Sequence, residues 1–496
     1  MPASDLQWAV NDLNSRAEAI RIRRAYYEGN HKTTLPQGKT LSPELRLLLD
    51  DLNDNLCDDV VNEPVTRLAI TGWGVKGQAE RDAQGGDETT DSPVARAAEE
   101  SWERNRGDAR SREVHRNGWM TGDGFTIVQT DSEGLARWYP QRPEQMAVRY
   151  SPEYPDEIQV AAKVWREGKA WRLNLYYAPA TKDGAPWVER YITKGTNNDG
   201  SVPSPKAFSL IEAREAEDGT LVEAIQPLEG DRIPVFHFPA DEVGRYGRSA
   251  LTPTVMGLQD VLNKSVGDMV VAMEAAALPD RWATGIQAEY DPVTGEEKPV
   301  QKTGRERMIR TGSKDATFGQ FAQATMEPFL NTQAAYRMEI ARKGYLPAHS
   351  VKMDGDAPSG LSLLVSEGRL VKRVLTAQDD WGVNWREQQA YALRLEGYSV
   401  QASDLEIYWA EAATRDEVAL LEVLTLKVSL GMPKRQALIE AGYDADEVDE
   451  WLDAAQAQAD VIRGGSGVPP LPPAQGGMLP APPVQPNGAA APASVG

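Results

Sequence analysis

Five aspartates fall close together at Asp50, Asp51, Asp54, Asp58 and Asp59. Carboxylates grouped in this way could hold a divalent cation and activate water against a phosphodiester. That chemistry would make the chain a carboxylate-dependent metal enzyme acting on nucleic acid. At helical spacing the same residues also make a solvated helix face. The four histidines, His31, His115, His237 and His349, are scattered. None belongs to an HExxH pair or a comparable ligand set, and each reads as a surface or half-buried residue. Gly38-Lys39-Thr40 has the end of a phosphate-binding loop, but Thr33 stands where the leading glycine is required. The chain is therefore not expected to hydrolyse ATP itself. The expectation is no catalytic residue, no cofactor and no metal.

Two basic clusters and one loop remain as binding candidates. Arg104, Arg106, Arg110, Arg112 and Arg116 are interleaved with Glu103, Asp108 and Glu113. They form either a subunit or DNA contact, or an exposed, salt-bridged helix face. Lys298, Lys302, Arg305, Arg307, Arg310 and Lys314 stand against Glu306 alone. In an acidic chain this local inversion suits DNA, an acidic partner or a solvated hairpin. Pro347 to Leu361 holds two glycines and two prolines, which argues against helix and regular strand. Long structureless connections tend to be functional or disordered.

The elements that must position these residues follow from periodicity. A helix starts at Thr252-Pro253, a capping hydroxyl followed by proline at the first helical position. Val255, Leu258, Leu262, Val266, Met269 and Met273 recur along it, and Leu278-Pro279 ends it. A β-rich insert follows. A second helix covers about 325–344 with Leu330, Ala334, Met338 and Ala341 on one face. After the loop a third helix runs over about 362–395, carrying Leu364, Val371, Val374, Trp381 and Trp385 to one side. Gly368 and Gly382 predict a kink or break in it.

Earlier in the chain, residues 5–28 read as a helix through Leu6, Val10, Leu13, Ala17 and Ile20. Helix continues over 45–49 and 60–70, then over about 93–105 and 110–120. From Phe125 to Thr193 the period becomes two, with strands at 125–130, 146–150, 158–165, 171–177 and 188–193 in an antiparallel meander. Residues 233–238 and 405–409 are short strands. Thr414-Arg-Asp-Glu417 matches a capping box and opens an acidic helical unit to about 463. The last 33 residues contain nine prolines and no charge, so disorder is expected there.

Composition narrows the class. The 496 residues are 41% hydrophobic and 26% charged, ordinary for a soluble protein, with net charge −21. The acid excess argues against tight static nucleic-acid binding, which needs phosphate neutralisation. It leaves open a surface past which DNA slides. A single cysteine, Cys57, excludes an internal disulfide and a thiolate cluster and is expected to be a small buried residue. The start lacks a secretory signal pattern and no stretch of 18 apolar residues exists. No membrane association is expected, and folding is expected in a cytoplasm.

The order helix, insert, helix, loop, long helix resembles the core of a tailed-phage portal protein of the actinophage and siphophage type. The resemblance is carried by Tyr246-Gly-Arg-Ser-Ala-Leu-Thr-Pro253 before the first helix and by Gly355-Asp-Ala-Pro-Ser-Gly-Leu361 before the long one. Leu52-Asn-Asp-Asn-Leu-Cys-Asp-Asp-Val-Val-Asn62 resembles the amino-terminal wing of actinophage portals. The resemblance implies an α+β portal fold with long central helices and a β-rich wing. The wing would comprise 1–250 and 362–412, the stem helices 251–278 and 326–346, and the clip 279–325. The channel loop would be 347–361, the crown 413–463 and the tail 464–496. It further implies a dodecameric ring at one capsid vertex that nucleates procapsid assembly with scaffolding and major capsid proteins. Such a ring docks the packaging ATPase, the terminase large subunit, and later a head–tail adaptor. It conducts double-stranded DNA without sequence preference during packaging and ejection. Within the channel loop the DNA-facing candidates are Ser350, Val351, Lys352, Met353, Asp354, Gly355, Asp356, Ser359 and Gly360. The six basic residues of the insert are candidates for partner docking. The site would be the virion, with assembly in the host cytoplasm. Against this stand the metal enzyme based on Asp50–Asp59 and another virion ring such as an adaptor, although adaptors are usually far shorter.

Overall fold

The computed structural model describes residues 2–31, 54–76, 92–179, 184–193, 201–215, 221–241, 246–277, 281–285, 290, 292–295, 315, 317–320, 325–352, 360–413, 417–440, 443 and 448–456. The chain divides into two units, Met1–Thr414 and Arg415–Gly496. No helix among the described residues is long and apolar enough to cross a membrane.

The first unit contains the helices α1 (Pro2–Tyr27), α2 (Cys57–Thr66), α3 (Pro93–Arg104), α4 (Gly107–Thr121), α5 (Pro253–Ala277), α6 (Glu327–Gly344), α7 (Ala348–Val351) and α8 (Gly360–Leu395). Its strands begin with β1 (Ile70–Val75), β2 (Asp123–Thr130), β3 (Ala136–Gln141), β4 (Met146–Tyr150), β5 (Ile158–Glu167), β6 (Ala170–Tyr177) and β7 (Trp187–Thr193). They continue with β8 (Phe208–Leu210), β9 (Arg214–Glu215), β10 (Leu221–Val222), β11 (Ile225–Pro227), β12 (Val235–Pro239), β13 (Arg281–Thr284), β14 (Thr317–Gln320) and β15 (Leu405–Trp409).

Alternating residues explain the layers. β4 to β7 form an antiparallel meander, extended by β8 and β11, which both pair with β7. One face presents Val160, Ala162, Val164, Leu173, Leu175 and Tyr191 to Leu6, Val10 and Leu13 of α1. The helix and strand periods read from the sequence thus meet in one core. The other face, with Val148, Ala161, Tyr176 and Val188, packs on Phe125, Ile127 and Val235. Those residues belong to a second sheet, ordered β12-β2-β3. The stretch 125–130 is therefore not part of the meander. It is paired on its two edges by β12 and by β3, a strand hidden in the sequence by Pro140.

Beyond the second sheet lies the largest core, built on α8. Leu370, Val374, Trp381, Trp385 and Tyr391 are all buried there against α4, β12 and the α2–β1 segment. Trp102, Trp138 and Trp385 approach one another with ring centroids 5.3–5.6 Å apart. Such aromatic pairs contribute about 0.5–1.5 kcal/mol each beyond their burial. α8 runs unbroken for 36 residues, contrary to the break expected at its glycines. At Gly368 a Cβ would meet nothing, and at Gly382 only ordinary contacts with β15. Packing over the rest of the helix outweighs a propensity cost of about 1 kcal/mol for each glycine. Residues 67–70 do not continue α2. The chain turns at Arg67 and enters β1, whose Gly72 and Gly74 obscure its strand character and which pairs with β15.

α5 begins as its sequence requires, with the Thr252 hydroxyl accepting from the Val255 N–H at 3.3 Å. It packs against α6. Between them β13 and β14 pair antiparallel. In the second unit, α9 (Glu417–Ser429) and α10 (Lys434–Glu440) flank the Gly431-Met-Pro433 break, and 448–456 is also helical. Leu424 and Ala437 are the buried centre of that unit. The tail 464–496 lies outside the described residues.

Candidate functional site

The segment between α6 and α8 is partly ordered into structure. Tyr345 caps α6 with φ +65°, and α7 adds one helical turn where neither helix nor strand was expected. The turn forms because Pro347 precedes it and leaves its carbonyl to accept from the Ser350 N–H at 3.1 Å and the Ser350 hydroxyl at 2.8 Å. Leu346 and Val351 anchor it in the main core, Val351 being only 7% exposed. Within the chain Val351 thus serves as a core contact that holds the turn. Ser350 and Lys352 are exposed, and Gly360 is the first residue of α8. Met353, Asp354, Gly355, Asp356 and Ser359 lie outside the described residues.

The base of this loop is tied down by ions. Glu367 on α8 is almost fully buried and pairs with Arg67 at 3.0 Å. Arg67 also donates to the Ala412 carbonyl at 3.0 Å and pairs with Glu63 at 2.9 Å. His349 reaches the Ser366 hydroxyl at 3.2 Å and lies 3.9 Å from the Glu367 carboxylate. One arginine thus joins α2, the start of α8 and the chain leaving β15. Nothing in local sequence marks the pair, because its members are 300 residues apart.

Amides on α5 hold the segment that precedes α2. Gln259 accepts from the Leu56 N–H at 3.0 Å and Asn263 from the Asp54 N–H at 3.2 Å. Asp54 itself pairs with Arg337 of α6 at 2.5 Å. The aspartate cluster thus loses Asp54 to a structural ion pair. Asp58 accepts from the Asp59 N–H, and burial, followed by Asp58, Glu63 and Asp54, pushes the Asp59 carboxyl up. Among the described residues no group of three acidic, histidine or cysteine side chains is placed to hold a metal ion; Asp50 and Asp51 lie outside them. Cys57 is buried, its thiol pushed up to about 12 by burial.

Apolar residues of the pair do not all face inward. Ile340 and Ala341 are buried, whereas Val261 is 41%, Met273 51%, Leu330 52% and Met338 36% exposed. The face read as Leu330, Ala334, Met338 and Ala341 is therefore split, with only Ala341 in the core.

The histidines are not all superficial. His115 is fully buried, stacked on Trp381 with centroids 5.0 Å apart, and accepts the Trp385 indole N–H at 2.9 Å. His237 is buried between the Tyr150 hydroxyl at 2.7 Å and the Asp123 carboxylate at 2.8 Å. Both join distant elements. The arginine run also divides. Arg104 binds the Glu396 carboxylate and Arg110 the Trp138 carbonyl, while Arg106, Arg112 and Arg116 stay exposed. The basic residues Lys298, Lys302, Arg305, Arg307, Arg310 and Lys314 lie outside the described residues.

The chain is thus an α+β scaffold in which buried polar side chains join elements far apart in sequence. A family model described as "Phage portal protein, SPP1 Gp6-like" matches residues 6–461, and the chain belongs to that family of phage portal proteins. Among solved structures it is similar to a chain of the "Neck of empty GTA particle computed with C6 symmetry", with 12% identity and TM-score 0.43, covering 83% of this chain and 96% of that one. It is also similar to a chain of the "Neck of native GTA particle computed with C12 symmetry", with 14% identity and TM-score 0.41, covering 85% of this chain and 98% of that one. No curated protein matches it.

Proposed function

We propose that the protein forms a dodecameric ring at one vertex of a phage capsid and conducts double-stranded DNA through it. In this reading α5 and α6 are stem helices, the insert between them is the clip, and the segment after α7 is the channel loop. The ring nucleates procapsid assembly with scaffolding and major capsid proteins. It docks the terminase large subunit during packaging and a head–tail adaptor afterwards. The chemistry of DNA movement resides in that ATPase.

Beyond family membership, the observation that carries this reading is the apolar face left open on α5 and α6. Val261, Met273, Leu330 and Met338 are large side chains on long helices, and they stay 36–52% exposed. A ring repeats one head-to-tail interface around its axis, so each copy's open face is covered by its neighbour. The loop carries Lys352 with Asp354 and Asp356, too little positive charge to grip phosphate. Weak, sequence-independent contact is what translocation needs.

Deleting Lys352–Asp356 tests the channel role, because α7 and Val351 remain to hold the loop base. Complementation of a phage lacking the gene is expected to give normal procapsid numbers and at least tenfold fewer DNA-filled heads. Normal filling would refute the channel role, and loss of procapsids would make the loop a structural element. Reversing Arg305, Arg307 and Arg310 to glutamate tests clip docking in the same strain, through salt-dependent loss of ATPase or adaptor binding.

A further inference from the structure

Two clefts of different charge sit towards the two ends of α4, one strongly acidic and one where exposed arginines stand among carboxylates. The first, of about 770 Å³, is lined by Asp156, Asp241, Asp379 and Asp380, and Arg373 is the one lysine or arginine in its wall. None of the four aspartates makes an ion pair or accepts a hydrogen bond among the described residues. Of the four, Asp241 alone acts on Arg373, against the burial that pushes the guanidinium down. The guanidinium lies over the rings of Trp119 and Tyr345, 4.3 and 4.7 Å from their centroids. Burial, then Asp379 and Asp241, pushes the Asp380 carboxyl up, the expected sign for carboxylates that crowd without a cation. Trp119 in the same wall is 2% exposed, and its indole N–H has no acceptor. Buried donors of that kind are rarely left unmatched. The cleft carries more carboxylate charge than Arg373 can offset.

The second cleft, of about 1120 Å³, is lined by Arg106, Arg112 and Arg116 from the start and outer face of α4 together with Glu99, Glu103 and Asp108. A smaller cavity of about 350 Å³ adds Arg142 beside Arg116. These four arginines are exposed and make no ion pair among the described residues. The acidic residues nearby are partly committed elsewhere: Asp108 accepts the Trp102 indole N–H at 3.0 Å and Glu99 the Trp73 N–H at 3.1 Å. The acidic and basic clefts share no lining residue.

We propose that the acidic cleft of one copy receives the arginine face of the next, with Arg112 and Arg116 opposite Asp379 and Asp380. This rests on the ring reading above and names the surfaces that close the ring. A head-to-tail interface needs two different, complementary patches on each copy, and charge complementarity fixes partner and register. A second copy fits better than DNA on the arginine face, because Asp379 and Asp380 can engage two guanidinium groups locally, whereas a duplex lays continuous phosphate charge along Glu103, Asp108 and Glu113 as well.

The experiment uses two full-length variants, D379K/D380K and R112E/R116E, with assembly followed by analytical ultracentrifugation and native mass spectrometry. Each reversed chain presents like charge to itself and is expected to need at least tenfold higher concentration to form rings. Mixed in equal amounts, each cleft meets a complementary face, and rings of even subunit number are expected to return. All four positions are exposed, so melting curves near wild type are expected. The neutral D379N/D380N chain, expected to assemble with an intermediate loss, serves if the lysine variant does not fold. Either reversed chain closing as readily as wild type overturns the proposal. So does a mixture of two folded variants that assembles no better than its parts. Normal rings with weakened DNA binding in R112E/R116E would assign that face to DNA instead. A wild-type chain that stays monomeric removes the ring reading and this interface with it.

Discussion

His115 accepts the Trp385 N–H inside a cage of indoles, and it can do so only while neutral. Burial pushes its pKa down to about 3. The unfolded chain, at about 6.5, takes up the proton first. The stabilisation is therefore full above pH 6.5 and is lost as the pH falls towards 3. Between pH 6.5 and 5 the loss is roughly 2 kcal/mol at about 1.36 kcal/mol per pH unit. Half-buried His31, also pushed down by burial, adds in the same direction. His115→Gln keeps an acceptor for Trp385 and is expected to flatten most of this slope, as read by urea midpoints across that window. An unchanged slope would show that another group titrates. At Arg67 the argument is one of an uncompensated charge. Arg67→Met leaves Glu367 buried without its cation, and a loss of about 3–5 kcal/mol is expected in denaturant unfolding. A loss below 1 kcal/mol would mean that solvent replaces the pair. Neither residue was legible in the sequence. Trp385, which His115 accepts from, and Glu367, the buried partner of Arg67, lie 270 and 300 residues away, and a scattered histidine reads as a surface one until its neighbours are known.

At the scale of elements, the stretch Tyr246–Pro253 was conspicuous in the sequence, and the structure supplies its reason. Tyr246 donates to Asp12 at 2.8 Å, the Gly247 N–H to Asp123 at 2.8 Å, and Ala250 and Ser249 to the last carbonyls of α4 at 2.8 and 2.6 Å. Gly247 passes against the backbone of Gly122 and Ala240, where a Cβ would lie 2.0 Å from the Gly122 carbonyl oxygen. Main-chain atoms cannot rotate aside. Gly247→Ala is therefore expected to cost at least about 1–3 kcal/mol, seen as a fall in melting temperature of several degrees; an unchanged Tm would contradict the close approach. Long amphipathic helices and the alternating strands of the meander were legible because their periods are set by burial on one face. β3 and β1 were not, because Pro140 and two glycines disguise them. The unbroken α8 shows why glycine alone is a poor guide to helix ends when tryptophans on the same helix are buried.

For the whole molecule, the α+β class and the helix, insert, helix, loop, long-helix order are legible in the sequence, since they rest on long periodic segments. The surfaces that make an assembly are not. Val261, Met273, Leu330 and Met338 look like ordinary core positions in sequence, and only their exposure in the folded chain separates them. The central claim is that this exposure is covered by further copies in a closed ring. Its most direct test is imaging of the purified full-length protein in negative stain or vitreous ice. Class averages with a central hole and rotational symmetry, twelvefold in the assembled particle, are the expected result. Particles that remain single chains or dimers at every concentration, with those four side chains still open to solvent, would contradict it.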